Sequence, residues 1–86
     1  MNDELLTEIS YVKISTYRIK VMKSLEDDVK IPSKIAEDSG ILQNHISAVL
    51  KQLKDHDLVE CINPEVRKGR LYRLTNVGEE IVKKLE

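Results

Sequence analysis

The sequence predicts a mainly α-helical domain closed by a small antiparallel β-wing, and three observations carry that prediction. Apolar residues recur at helical spacing through much of residues 5–53; the period falls to two in two short runs after residue 58; and a helical pattern returns behind Thr75. At 86 residues, the chain has the size of a single domain that buries roughly 60 to 65% of its unfolded surface. Phe and Trp are absent, so Ile, Leu and Val must build the core, helped by Tyr11, Tyr17 and Tyr72.

Leu5, Ile9 and Val12 mark a short first helix that either frays or runs on into the next. After the break suggested by "KIST", Ser15 or Thr16 can cap a firmer helix over about 15–26 carrying Tyr17, Val21, Met22 and Leu25, ended by the acidic "EDD" at 26–28. Pro32 suits a first helical turn, where its missing N–H costs nothing, and Ile35, Ala36 and a stop at Gly40 give a helix of about two turns. Beyond Gly40, Ile46, Val49, Leu50 and Leu53 form one apolar stripe, with Gln43, Asn44, His45, Ser47, Ala48 and Lys51 elsewhere on the cylinder. Val59 and Cys61 then alternate with Glu60 and Ile62, and Tyr72 and Leu74 with Leu71 and Arg73, which predicts two strands joined by a long loop. Alternation puts Tyr72 on the buried face. Thr75 caps a last helix with Val77, Ile81 and Leu85 on one face.

The most informative spacing lies in "PSKIAEDSGILQNHISAVLKQL". Ala36, Gly40, Ile46 and Val49 fall at relative offsets of 0, 4, 10 and 13, as a helix-turn-helix requires on steric grounds. A small residue lets the helices approach, glycine supplies a positive φ in the turn, and two apolar residues lock the second helix onto the first. With a hairpin and a capped helix following directly, the pattern is that of a winged helix-turn-helix: a three-helix core, a two-stranded wing and flanking terminal helices. The whole of 1–86 reads as one domain, with the helix-turn-helix at about 32–57, the wing at about 58–75 and the terminal helix at about 75–86.

The pieces "TYRIKVMKSL", "PSKIAEDSG", "HISAVLKQLKDHDLVEC", "NPEVRKGRLYRLT" and "VGEEIVKKL" resemble the archaeal winged-helix transcriptional regulators of the MarR/ArsR-like type, from about residue 10 onward, the wing phrase "KGRLYRLT" being the most specific. The resemblance implies a recognition helix in the major groove of double-stranded DNA and a wing along the backbone or in the adjacent minor groove. Carried over by position, Gln43, Asn44, His45 and Ser47 face bases, while Lys51 and the wing residues Arg67, Lys68 and Arg70 meet phosphates. The chemistry of these residues points the same way: Gln and Asn pair bidentately with adenine, and Lys and Arg neutralise phosphate. The chain departs from the resemblance at Ile31 and Leu42, where such regulators often carry Thr or Ser, so both helices are expected to start without a side-chain N-cap.

Charge separates the candidate readings. The formal net charge is −1, with eight Lys/Arg against ten Asp/Glu in residues 1–58 and six against five in 59–86. Arg67, Lys68, Arg70 and Arg73 nevertheless crowd into seven positions without an acid. The acidic total favours a winged helix used only for protein contacts; the basic wing and polar recognition face favour DNA. No metal or cofactor is expected, since nothing has metal-ligand spacing and the cysteine-rich motif of metal-sensing ArsR proteins is absent. No phosphate-cradling glycine loop or Ser-His-acid pattern suggests an enzyme. His45 is otherwise an exposed first-turn histidine, His56 a C-terminal cap or dipole partner, and the single Cys61 a packing residue suited to a reducing compartment. With no apolar run near the ~20 residues of a membrane span and no signal-peptide pattern, a cytoplasmic location is expected. The terminal stripes Leu5, Ile9, Val12 and Val77, Ile81, Leu85 either pack on the domain or form the seam of a homodimer.

Overall fold

The computed structural model describes residues 3–85, so Met1, Asn2 and Glu86 lie outside the described residues. The element order is α1 (Asp3–Lys13), α2 (Thr16–Ser24), α3 (Pro32–Ser39), α4 (Gln43–Asp55), β1 (Val59–Cys61), β2 (Tyr72–Leu74) and α5 (Asn76–Lys83). This is a winged helix-turn-helix. α1 and α2 are separate helices, because Ser15 takes an extended conformation and its hydroxyl accepts the Arg18 N–H at 3.3 Å. α2 ends at Ser24, earlier than the apolar spacing predicts, and Asp27 turns the chain away with φ of 58°.

Gly40 ends α3 in the left-handed region at φ 73°, its N–H donating to the Ala36 carbonyl at 2.9 Å. Ile31 and Leu42 precede α3 and α4 in extended conformation, with no side-chain cap at either. Each missing cap forgoes about 0.5 to 2 kcal/mol. Packing outweighs that loss. Ile46 and Leu53 are fully buried, and truncating one such residue to alanine costs about 2 to 5 kcal/mol.

The core joins Val12, Val21, Met22, Leu25 and Ile35 to Ile41 and the α4 stripe of Ile46, Val49, Leu50 and Leu53, then to Leu58, Val59, Leu74, Ile81 and Val82. Leu5, Ile9 and Leu85 pack against it in part. Tyr17 does not join it: the apolar stripe expected for α2 begins at Val21, and Tyr17 is 43% exposed, its ring lying instead near His45 of α4.

α4 ends in a Schellman motif. The Leu58 N–H returns to the Leu53 carbonyl and the Asp57 N–H to the Lys54 carbonyl, both at 2.9 Å, with Asp57 at φ 60° where glycine is usual. The chain then enters an antiparallel pair with Val59 opposite Leu74, Glu60 opposite Arg73 and Cys61 opposite Tyr72. One further pairing has no signal in the period-two pattern. Lys30 exchanges both backbone hydrogen bonds with Tyr72, at 3.0 and 2.9 Å, and so anchors the wing to the segment before α3. Tyr72 is half-buried against the core.

Thr75 caps α5 as its type predicts: its hydroxyl accepts the Gly78 N–H at 3.0 Å and donates to the Asp57 carbonyl at 2.7 Å. The buried face of α5 differs from the predicted one. Gly78, Ile81 and Val82 are buried, whereas Val77 is 42% exposed. The reason is a close approach: a Cβ at Gly78 would stand 2.1 Å from the Leu58 carbonyl oxygen. The helix therefore turns its glycine, and not its valine, onto the domain.

Gly78→Ala is accordingly expected to lower stability by at least about 1 to 3 kcal/mol, as overpacking against backbone does. An unobstructed helix-interior glycine would instead gain roughly up to 1 kcal/mol from alanine. Urea denaturation at neutral pH reads the sign directly.

Candidate nucleic-acid interface

α4 divides its surface cleanly. Ile46, Val49, Leu50 and Leu53 enter the core, while Gln43, Asn44, His45, Ser47 and Lys51 are all exposed. From Gln43 to Lys51 the helix rises about 12 Å, so one exposed surface carries two amides, an imidazole, a hydroxyl and a cation. The His45 ring stands 5.6 Å from the Tyr17 ring, tilted by 54°. Lys51 pairs with Asp55 at 3.2 Å, both exposed, an i,i+4 pair of the kind that contributes about 0.3 to 0.5 kcal/mol. A pair that weak leaves Lys51 free to exchange partners.

The wing loop is braced from within. Asn63 Oδ1 accepts the Leu71 N–H at 2.7 Å, and its Nδ2 donates to the Gly69 carbonyl at 3.1 Å. Arg70 Nε donates to the Val66 carbonyl at 2.7 Å and Nη2 to the Pro64 carbonyl at 3.3 Å. Gly69, at φ 74°, turns the tip. Arg73 pairs with Glu60 across the two strands at 2.7 Å. The four basic residues of the wing thus do different things: Arg70 and Arg73 are engaged within the chain, while Arg67 and Lys68 are exposed and make no hydrogen bond or ion pair among the described residues.

A groove of about 430 Å³ runs between α4 and the base of the wing, lined by Pro32, Ser47, Leu50, Lys51, Lys54, Asp55, Arg70 and Tyr72. It brings together Ser47, Lys51 and Arg70 from the predicted set and adds Lys54. Gln43, Asn44 and His45 lie toward the other end of α4, and Arg67 and Lys68 on the tip, outside its lining. Lys54 was not singled out in the sequence, although its place three residues after Lys51 puts it on the neighbouring helical row. Tyr17 had no sequence signal for this surface, since only the packing of α2 beside α4 brings its ring to His45.

Behind this surface, α4 is held by a stack. The Arg18 guanidinium lies 3.8 Å from the Tyr11 ring centroid, and the His56 ring lies 3.6 Å from it at 13°. Two flat groups this close must cover opposite faces of the phenol. Arg18 also donates to the Tyr11 carbonyl at 2.8 Å and to Gln52 Oε1 at 3.2 Å, and His56 Nδ1 meets Glu8 at 3.0 Å. His56 is the C-cap of α4, as predicted, and its ring additionally ties α4 to α1. Cation–π and stacking contacts of this kind contribute about 0.5 to 1.5 kcal/mol each.

Asp38 of α3 meets Lys30 at 2.6 Å and Lys34 at 3.4 Å. The hydrogen bond from Lys30 is the main reason the Asp38 carboxyl titrates below the ordinary carboxylate range; attraction from Lys30 and Lys34 adds to it. Lys34 is raised in turn, chiefly by the charge of Asp38 and then of Glu37. A second cleft, of about 760 Å³ between α1 and α5, is lined by Asp3, Glu4, Glu8, Asp57 and Glu80 among others and shares no residue with the groove beside the wing. Cys61 is a free thiol, half-buried, with Sγ 3.6 Å from Asn63 Oδ1. Among the described residues, no group of three or more His, Cys, Asp or Glu is gathered as a metal site, and no helix is long and apolar enough to cross a membrane.

No protein-family model matches the chain, and no curated protein matches it in sequence. Its fold is similar to the crystal structure of a MarR family transcriptional regulator from Silicibacter pomeroyi DSS-3, with a TM-score of 0.73 over 96% of this chain at 17% identity. The chain spans 62% of the length of that protein.

Because the folded pKa of Asp38 is lowered, its contribution to stability is present above the unfolded value of about 3.9 and is lost as pH falls through the lower folded value. Asp38→Asn is therefore expected to be less stable than the wild type at pH 6, the gap closing by about pH 2. Urea midpoints of both proteins at the two pH values check this; a gap of constant size would remove the carboxylate's charge as its cause.

Proposed function

We propose that the chain binds double-stranded DNA sequence-specifically as a transcriptional regulator, with α4 in the major groove and the wing on the backbone or in the adjacent minor groove. The observation that carries this reading is the exposed face of α4, polar from Gln43 to Lys51, standing beside a wing whose tip holds two unengaged cations. Likeness to the fold of a transcriptional regulator supports it. On this reading Gln43, Asn44, His45 and Ser47 face base edges, Lys51, Arg67 and Lys68 meet phosphate, and Arg70 shapes the loop while keeping its charge near Lys51 and Lys54. The protein acts as a homodimer of cytoplasmic type, joined through α1 and α5. Ile81 is fully buried within the chain, so the seam rests on residues left outside the core: Leu6, 47% exposed, and Val77.

A second reading has its own observation. The net charge of −1 and the acidic cleft between α1 and α5 suit a winged helix that docks only on proteins. Fluorescence anisotropy with duplexes at several salt concentrations separates the two, because phosphate contact is linked to counterion release.

If the DNA reading holds, Arg67→Ala and Lys68→Ala each lower the slope of log affinity against log salt by about 0.9 and weaken all duplexes alike, with no loss of fold stability. Arg70→Ala weakens binding and also loosens the wing. Gln43→Ala and Asn44→Ala behave differently: each costs about 1 to 3 kcal/mol on the preferred sequence and little on a scrambled one. Absence of salt-dependent binding to any duplex would sink the DNA reading in favour of protein docking.

A further inference from the structure

Leu42 is 70% exposed at the N-cap of α4. A leucine there serves the isolated chain poorly: it gives no cap hydrogen bond to the first-turn N–H groups and leaves apolar surface in water. Its backbone is nonetheless firmly placed, since the Leu42 carbonyl accepts the His45 N–H at 2.9 Å. The other uncapped N-cap residue, Ile31, is far more covered and adjoins Lys30, whose pairing with Tyr72 makes that segment part of the sheet. No comparable contact accounts for Leu42. It stands one residue ahead of Gln43, at the end of the helix whose first residues enter the groove when a helix-turn-helix binds DNA. Tyr17, near His45, adds a second partly apolar surface at this end of α4.

The edges of base pairs in the major groove present hydrogen-bond donors and acceptors and a single kind of apolar group, the methyl on C5 of thymine. Resting on the DNA reading above, we infer that Leu42 is a specificity-determining residue that reads a pyrimidine 5-methyl group in the major groove. Gln43 and Asn44 beside it read hydrogen-bonding edges, so the start of α4 recognises a step in which an adenine-containing edge adjoins a methylated pyrimidine. Thymine and 5-methylcytosine carry that methyl at the same place, and the experiment distinguishes them.

The test uses the full chain and the duplex that it selects from a random pool. Replacing thymines one at a time by deoxyuridine removes only the methyl. At one position per recognised half-site, wild-type affinity should fall about three- to fivefold, the effect of losing one buried methyl. Leu42→Ala should bind the thymine duplex more weakly and be indifferent to uracil there. Leu42→Ser, which restores a capping hydroxyl, should show the same indifference with the fold intact. At the same position, 5-methylcytosine paired with guanine should bind the wild type better than cytosine paired with guanine if either methylated base serves. A gain for thymine over uracil without that gain assigns the site to thymine alone. The inference is overturned if the wild type binds its selected duplex yet no thymine-to-uracil change matters, or if both variants remain as methyl-sensitive as the wild type. Absence of binding to any duplex brings down the DNA reading itself, and this inference with it.

Discussion

The C-terminal end of α4 is the junction through which the helices, the wing and α5 acquire their relation to one another. Asp57 in the left-handed region reverses the chain, and the Leu58 N–H closes on Leu53. Two successive carbonyls then serve the start of α5: Asp57 accepts the Thr75 hydroxyl and Leu58 accepts the Thr75 N–H at 3.1 Å. Gly78 seats α5 against the same Leu58 carbonyl. Since β1 begins at Val59, any shift in this turn would displace strand, cap and helix together. The exposed face of α4 keeps a fixed position relative to the wing because both are referred to these few backbone atoms.

Local patterns were legible where local physics decides them. The spacing of Ile46, Val49, Leu50 and Leu53 is a property of one helix, and so is the stop at Gly40; the cap at Thr75 follows from its side-chain oxygen. The absence of caps at Ile31 and Leu42 could likewise be read from residue type. What escaped the sequence depends on partners distant along the chain. Val77 and Gly78 are equally plausible helix residues until the Leu58 carbonyl determines which one can face inward. Tyr17 fits a helical stripe, yet the position of α4 leaves its ring beside His45. The pairing of Lys30 with Tyr72 needs no hydrophobic alternation at Lys30, so period-two reading had nothing to detect.

The same distinction applies to the candidate site. Residue type and helical geometry suffice to bring Gln43, Asn44, His45, Ser47 and Lys51 onto the exposed surface of α4. Counting charge in the wing does not distinguish its arginines, because Arg70 and Arg73 find oxygen partners only once the loop is folded. Composition also averages away the contrast between the cleft of α1 and α5, rich in Asp and Glu, and the groove beside the wing, with Lys51, Lys54 and Arg70. A chain with a formal net charge of −1 can therefore hold two surfaces of opposed character. Steering by such a field depends on orientation more than on the sum of charges.

The internal bracing of the wing by Asn63 and Arg70 affects the thermodynamics of association. A loop that orders only on its ligand loses about 1 to 2 kcal/mol of backbone entropy per residue at that moment, which weakens the complex. Here the turns between Asn63 and Leu71 are already closed by side-chain hydrogen bonds to the main chain. That entropy is lost on folding and is not lost again on encounter. The wing is preorganised, so the cations at its tip meet a partner with little further restriction than that of their own side chains.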